Sequence, residues 1–110
     1  MKKFILLYNG PATPPEQMKP EDAKAVMQKW GEWMGEVGDA MLDMGQPMAY
    51  GESIVDDGTS GTAPQLNGYS IIQANDMVAA KKLVDGHPFL SDKTGKFSVE
   101  VFELLPVPSM

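Results

Sequence analysis

Two hydrophobic periods alternate along this chain, and each change of period marks an element. Residues 4–8, Phe4-Ile5-Leu6-Leu7-Tyr8, are apolar at every position, the pattern of a strand covered on both faces. Further on the period lengthens. Val26, Met27, Trp30, Trp33, Met34, Val37, Ala40, Met41 and Met44 form one stripe at helical spacing, with Lys24, Gln28, Glu32, Glu36, Asp39 and Asp43 opposite. Pro20 suits the first residue of that helix, and Glu21 and Asp22 suit its positive end. Gly45 and Pro47 are expected to stop it. Gly31, Gly35 and Gly38 fall close to one line along it, each costing roughly 0.5–1 kcal/mol relative to alanine. Either a close neighbour or ligand passes there, or the flank is simply exposed.

Residues 9–20 read as a Pro- and Gly-rich loop in which Thr13-Pro14-Pro15-Glu16 has capping-box spacing. Residues 48–55 are strand-like, interrupted at Gly51 by a bulge or bend, and 56–67 form a long polar connection. Residues 68–73 are a second clear strand. Asn75 is placed to cap a helix carrying Met77, Ala80, Leu83 and Val84, with Lys81 and Lys82 at its negative end. Gly86 suits the left-handed residue that closes this helix, and Pro88 forbids its continuation. After a polar turn over 91–96, Phe97, Val99 and Val101 alternate with Ser98 and Glu100 in a last strand through about Leu104. Pro106 and Pro108 then break it.

The order β-α-β-β-α-β predicts an α+β, ferredoxin-like domain over 1–110. Its four-stranded antiparallel sheet carries both helices on one face. The other face is then left wet although the first strand is apolar on both sides. A second copy packed sheet to sheet would cover it, so a homodimer is expected.

Composition narrows the partners. The 110 residues suffice for a single core, and 43% hydrophobic and 22% charged residues are ordinary globular values. A net charge of -6 argues against the phosphate-neutralising surface of a nucleic-acid binder and disfavours an anionic membrane. The absence of cysteine excludes disulfides, thiolate catalysis and cysteine-ligated zinc. The apolar run after Met1-Lys2-Lys3 is too short for a secretory leader, and no segment reaches membrane-spanning length. A cytoplasmic location is expected.

Several segments together resemble the YCII-related (YciI-like) proteins. They are Lys3-Phe4-Ile5-Leu6-Leu7-Tyr8, the helix with Trp30 and Trp33, Met48-Ala49-Tyr50-Gly51, and Asp57-Gly58. Gly68-Tyr69-Ser70-Ile71-Ile72 and Ser98-Val99-Glu100-Val101-Phe102 complete the set. The resemblance spans nearly the whole chain and implies a dimeric α/β barrel, two ferredoxin-like protomers joined sheet to sheet. The wider superfamily includes muconolactone isomerase-like enzymes, small monooxygenases and haem-degrading proteins. A His-Asp pair has been proposed as a site in the YciI-like group. In this sequence the only histidine is instead His87, in Gly86-His87-Pro88-Phe89, and the Asp-Gly-Pro-Phe motif of one branch is replaced by Asp57-Gly58-Thr59-Ser60.

Candidate chemistry centres on His87, whose unperturbed pKa of about 6.5 suits acid–base work near neutrality. Asp85 and Asp92 lie close enough in sequence to orient the ring. Tyr8, Tyr50 and Tyr69 lie on three strands and are candidates to hold polar substrate atoms. Trp30 and Trp33, with Met27, Met34 and Met41, would wall an apolar cavity. The expected cavity lies between the long helix and its sheet, near His87, with 56–67 as a lid. The structural alternative is a helix-terminal histidine packed on its own turn, half-buried strand tyrosines and a plain core stripe. One histidine and the Asp56-Asp57 turn supply a transition metal poorly, and no metal or cofactor is expected. Neither a P-loop nor a nucleophile elbow is present. Two functions follow. One is a cofactor-independent enzyme doing proton-transfer chemistry on a small organic molecule, as an isomerase, lyase or lactone-forming enzyme. The other is a non-catalytic small-ligand-binding or dimeric structural module.

Overall fold

A computed structural model describes residues 1–11, 19–49, 51–90 and 93–107. The first strand, β1 (Lys2–Asn9), lies inside a four-stranded sheet. Phe4, Leu6 and Tyr8 are buried on the helix side, while Ile5 and Leu7 are half-buried on the other. Helix α1 (Pro20–Val37) begins at its proline with Glu21 and Asp22 in the first turn. Trp33 and Val37 reach the core. The N-terminal part of the stripe stays exposed, Met27 by 74%. The capping-box residues Thr13 to Glu16 lie outside the described residues.

Helix α1 stops earlier than its stripe. At Gly38 the backbone turns left-handed (φ 57°), a conformation that ends a helix without a Cβ penalty. After a single 3-10 turn, Gly38–Ala40, the chain enters β2 (Met41–Asp43) and pairs Met41 with Ile72. Met41 and Met44, expected in the helix, therefore belong to the second strand of the sheet and its exit. The expected strand over 48–55 is corrected with them. The bridge from Pro47 to Gly68 and the bond from Met48 N–H to Asn67 O extend the β2 pairing. Beyond them, β3 (Glu52–Ile54) pairs only with β4 (Ser60–Thr62) in a separate two-stranded arm.

Strand β5 (Leu66–Ala74) returns to the main sheet beside β1, and helix α2 (Met77–Val84) follows. Its cap is Asp76 rather than Asn75. The Asp76 carboxylate accepts from Ala79 N–H at 2.8 Å, as an N-cap residue three before it does. Strand β6 (Ser98–Leu104) closes the sheet in the order β2-β5-β1-β6, all neighbours antiparallel. This is the ferredoxin-like arrangement with a hairpin arm inserted between its second and third sheet strands.

Phe4, Leu6, Tyr8, Ile72, Trp33, Val37, Ala80 and Val84 form the core between sheet and helices. The Trp33 indole N–H donates to Leu83 O at 2.8 Å, so the largest core side chain also satisfies its polar end and ties α1 to α2. Away from the helices, Ile5 sits between Ile71 and Phe102, and Leu7 beside Tyr69. Phe102 is 54% exposed, so this face is apolar and uncovered in the single chain.

The glycines separate sharply by environment. A Cβ on Gly31 or Gly35 would meet nothing within 4 Å, so no neighbour requires them. Of the two alternatives for that flank, the described residues fit the exposed one. Gly45 is the opposite case. Its φ is 77° and a Cβ there would lie 1.6 Å from the Tyr69 carbonyl oxygen. Urea unfolding is expected to show Gly31→Ala stabilised by about 0.5–1 kcal/mol. Gly45→Ala is expected to lose more than about 2 kcal/mol in the same assay, because strain and backbone clash add.

Candidate functional site

His87 is placed by the way α2 ends. Gly86 takes the left-handed conformation (φ 79°), and His87 N–H donates to Val84 O at 2.9 Å. The chain folds back into the single turn Pro88–Leu90, where Leu90 N–H donates to His87 O at 3.0 Å. The ring is thereby driven inward, and His87 is 1% exposed. It packs in an aromatic cluster, with ring centroids 4.1 Å from Trp33, 4.6 Å from Trp30 and 5.0 Å from Tyr8. Tyr8 also stacks on Phe89 at 5.3 Å.

Both ring nitrogens are engaged. Phe89 N–H donates to Nδ1 at 3.0 Å, which leaves that nitrogen unprotonated and puts the ring hydrogen on Nε2. Nε2–H then donates to the Tyr8 hydroxyl at 3.2 Å, and Tyr8 donates to Ser70 Oγ at 2.7 Å. Ser70 passes the chain to the Met44 carbonyl at 2.9 Å. Every donor and acceptor in this line is used once, in one direction. Burial holds His87 well below its usual range, at about 4. It also pushes Tyr8 up to about 12, against the opposing effect of its hydrogen bond with Ser70. At neutral pH the chain consists of neutral groups.

The residues singled out in the sequence are dispersed by this geometry. Tyr8, Trp30 and Trp33 do surround His87. Asp85 does not: it is exposed, with its own N–H bonded to the carbonyls of Lys81 and Lys82, and makes no bond to the ring. Tyr69 belongs to the opposite face of the sheet, because it alternates with buried Ser70, so Tyr8 and Tyr69 do not share a cavity. Tyr50 and Asp92 lie outside the described residues. Ser70 and Met44 were missed. Ser70 was open to detection, since period-two alternation puts it with Gly68, Ile72 and Ala74 on the inward face, where a hydroxyl needs a partner.

Among the described residues the most open groove lies elsewhere than the cavity expected between α1 and the sheet. An open groove of about 650 Å³ lies on the helix side of the sheet between α2 and β6, with Val84, Leu90, Val99 and Val101 in its floor. Lys81, Lys82 and Asp85 stand around it, and His87 is not among its lining residues. Among the described residues no three His, Cys, Asp or Glu side chains converge as a metal site, and no helix is long and apolar enough to cross a membrane.

An antiparallel sheet in the order β2-β5-β1-β6 with both helices on one face defines a ferredoxin-like α+β protein. The profile of the YCII-related domain matches residues 1–105, and the chain belongs to that family. A search of curated proteins finds no match.

Burial of His87 also predicts a pH dependence. In the unfolded chain the imidazole titrates near 6.5, and in the folded chain near 4, so between those values only the unfolded state takes the proton. Stability is therefore expected to fall as pH drops from 6.5 to 4, by on the order of 3 kcal/mol from this group. Urea midpoints measured across that range should show this component in the wild type and not in His87→Gln.

Proposed function

We propose that this YCII-related protein is a non-catalytic homodimeric module, in which the uncovered sheet face joins two copies and the polar chain at His87 holds the fold. The observation that carries this reading is the engagement of both imidazole nitrogens in a site closed to solvent. A general base needs a free lone pair within reach of its substrate. The Nδ1 lone pair of His87 is already taken by Phe89 N–H. The face carrying Ile5, Leu7, Ile71 and Phe102 supports the dimer, because a second copy would remove that apolar surface from water.

A second reading keeps the protein as a cofactor-independent proton-transfer enzyme. In it His87 acts as acid–base group with Asp85, and Tyr8, Trp30, Trp33, Tyr50 and Tyr69 hold a small organic substrate. The continuous protic line from His87 through Tyr8 to Ser70 favours it. It requires the turn after Gly86 to open far enough to release Nδ1 and admit a ligand.

Light scattering of the wild type is expected to give twice 12.0 kDa. Phe102→Asp, at a position already half in solvent, should shift the mass to 12.0 kDa with the circular dichroism of the protomer unchanged. A wild-type monomer at micromolar concentration would remove the dimer from this reading. The enzyme reading is checked with small aromatic and lactone-like acids. Turnover that disappears in a folded His87→Gln would replace the non-catalytic reading.

A further inference from the structure

The two strands of the β3–β4 arm pair with each other and join no other sheet. An isolated two-stranded hairpin is marginal in water, and this one carries apolar side chains that nothing covers. Ile54 is 91% exposed and Val55 follows it on the same strand end. The radius of gyration is 15.7 Å, where about 13 Å is usual for a compact chain of this length, in keeping with a projecting arm.

The α2–β6 groove has the complementary character. Among the described residues its floor is apolar, Met77 and Val78 stand exposed on its wall, and its rim carries two cations, Lys81 and Lys82, against one anion, Asp85. The arm's apolar Ile54 and Val55 lead directly into Asp56 and Asp57, at its tip. Burial held Asp57 little: its carboxylate sits below the usual range because Thr59 donates to it from both side chain and backbone, so it stays charged. An apolar and acidic segment thus faces the chemistry of an apolar and basic groove.

Within one chain the two stand apart, Ile54 being 91% exposed and the groove being lined by other residues. The arm leaves from the β2 side of the sheet and the groove lies at the β6 side, three strand spacings or about 14 Å away. Two-fold symmetry can bring them together. When two sheets pack face to face about an axis parallel to their strands, the β2 edge of one copy lies over the β6 edge of the other. Such an axis also preserves level along the strands. The arm springs from the end of the sheet where Asn9 pairs with Leu66, and the groove residues Val99 and Val101 pair with Tyr8 and Leu6 in that same half. Five extended residues of arm reach roughly 16 Å, enough to span a sheet separation of about 10 Å and carry the tip round the partner's β6 edge toward its helix side.

We infer that the β3–β4 arm of each copy seats in the α2–β6 groove of its partner, with Ile54 and Val55 on the apolar floor and Asp56 and Asp57 against Lys81 and Lys82. The inference rests on the homodimer proposed above and adds a reciprocal contact on the helix side of the sheet.

The chain has no cysteine, which makes thiol cross-linking clean. Two differently tagged chains, one with Ile54→Cys and one with Val78→Cys, are mixed, allowed to exchange subunits and treated with a short bis-maleimide. Both positions are exposed, so neither change disturbs the protomer core. A covalent heterodimer is expected, absent when Lys29→Cys replaces Val78→Cys. Asp56→Lys with Asp57→Lys should lower its yield about tenfold, and Lys81→Glu with Lys82→Glu in the partner should restore it. A wild-type dimer by light scattering that gives no Ile54–Val78 product, or whose yield ignores the charge exchange, overturns the arm contact and leaves the sheet-to-sheet dimer standing. A wild-type monomer overturns both.

Discussion

The hydrogen-bond line from His87 through Tyr8 and Ser70 to the Met44 carbonyl joins four segments far apart in sequence: the exit of α2, β1, β5 and the exit of β2. The side chains of His87, Tyr8 and Ser70 are removed from water, and leaving one without a partner would cost about 1–3 kcal/mol. The described residues leave no buried side-chain nitrogen or oxygen unpaired. Losing one link leaves the next without its partner, and through His87 the line ties the exit of α2 to β1 and β5 beside Trp30 and Trp33. Trp33 adds a second tie through Leu83.

That same completeness bears on function. Groups that do proton chemistry near neutrality are generally left with a free site and a pKa close to the working pH. His87 has neither, being held near 4 by burial and bonded at both nitrogens. What the arrangement does well is fix a tautomer and a ring orientation, and with them the end of α2. The surfaces with unspent interaction capacity lie elsewhere: the sheet face around Phe102, the arm, and the α2–β6 groove.

The division of the sheet into two faces organises these surfaces. Along β1 and β5 alternate residues go to opposite sides, so Tyr8 enters the core beside His87 while Tyr69 joins Leu7 on the uncovered side. A strand that is apolar on both sides has no satisfactory environment in a two-layer protomer. The ferredoxin-like topology puts both helices on the other face, so neither helix covers this one.

Much of the fold was legible because local patterns carry it. The continuous apolar run of β1, the alternation of β5 and β6, and the stop at Gly86 each reflect a short-range requirement of backbone or solvent, and together they specify the β-α-β-β-α-β order. The end of α1 was not legible in the same way. Ala40 and Met41 continue the helical stripe because they face the core, and the core direction persists after Gly38 changes the backbone from helix to strand. Periodicity reports which side is buried, not which backbone buries it. The arm was hidden for a related reason: its strands read as one sheet strand and a polar loop, and only pairing between them makes a ribbon. At the candidate site, sequence placed a histidine after a helix stop and aromatic residues on the long helix. Whether that histidine met solvent, an aspartate or a buried hydroxyl was decided by the packing of α2 on β1 and β5, because burial and hydrogen-bond partners are properties of contacts between segments distant in the chain.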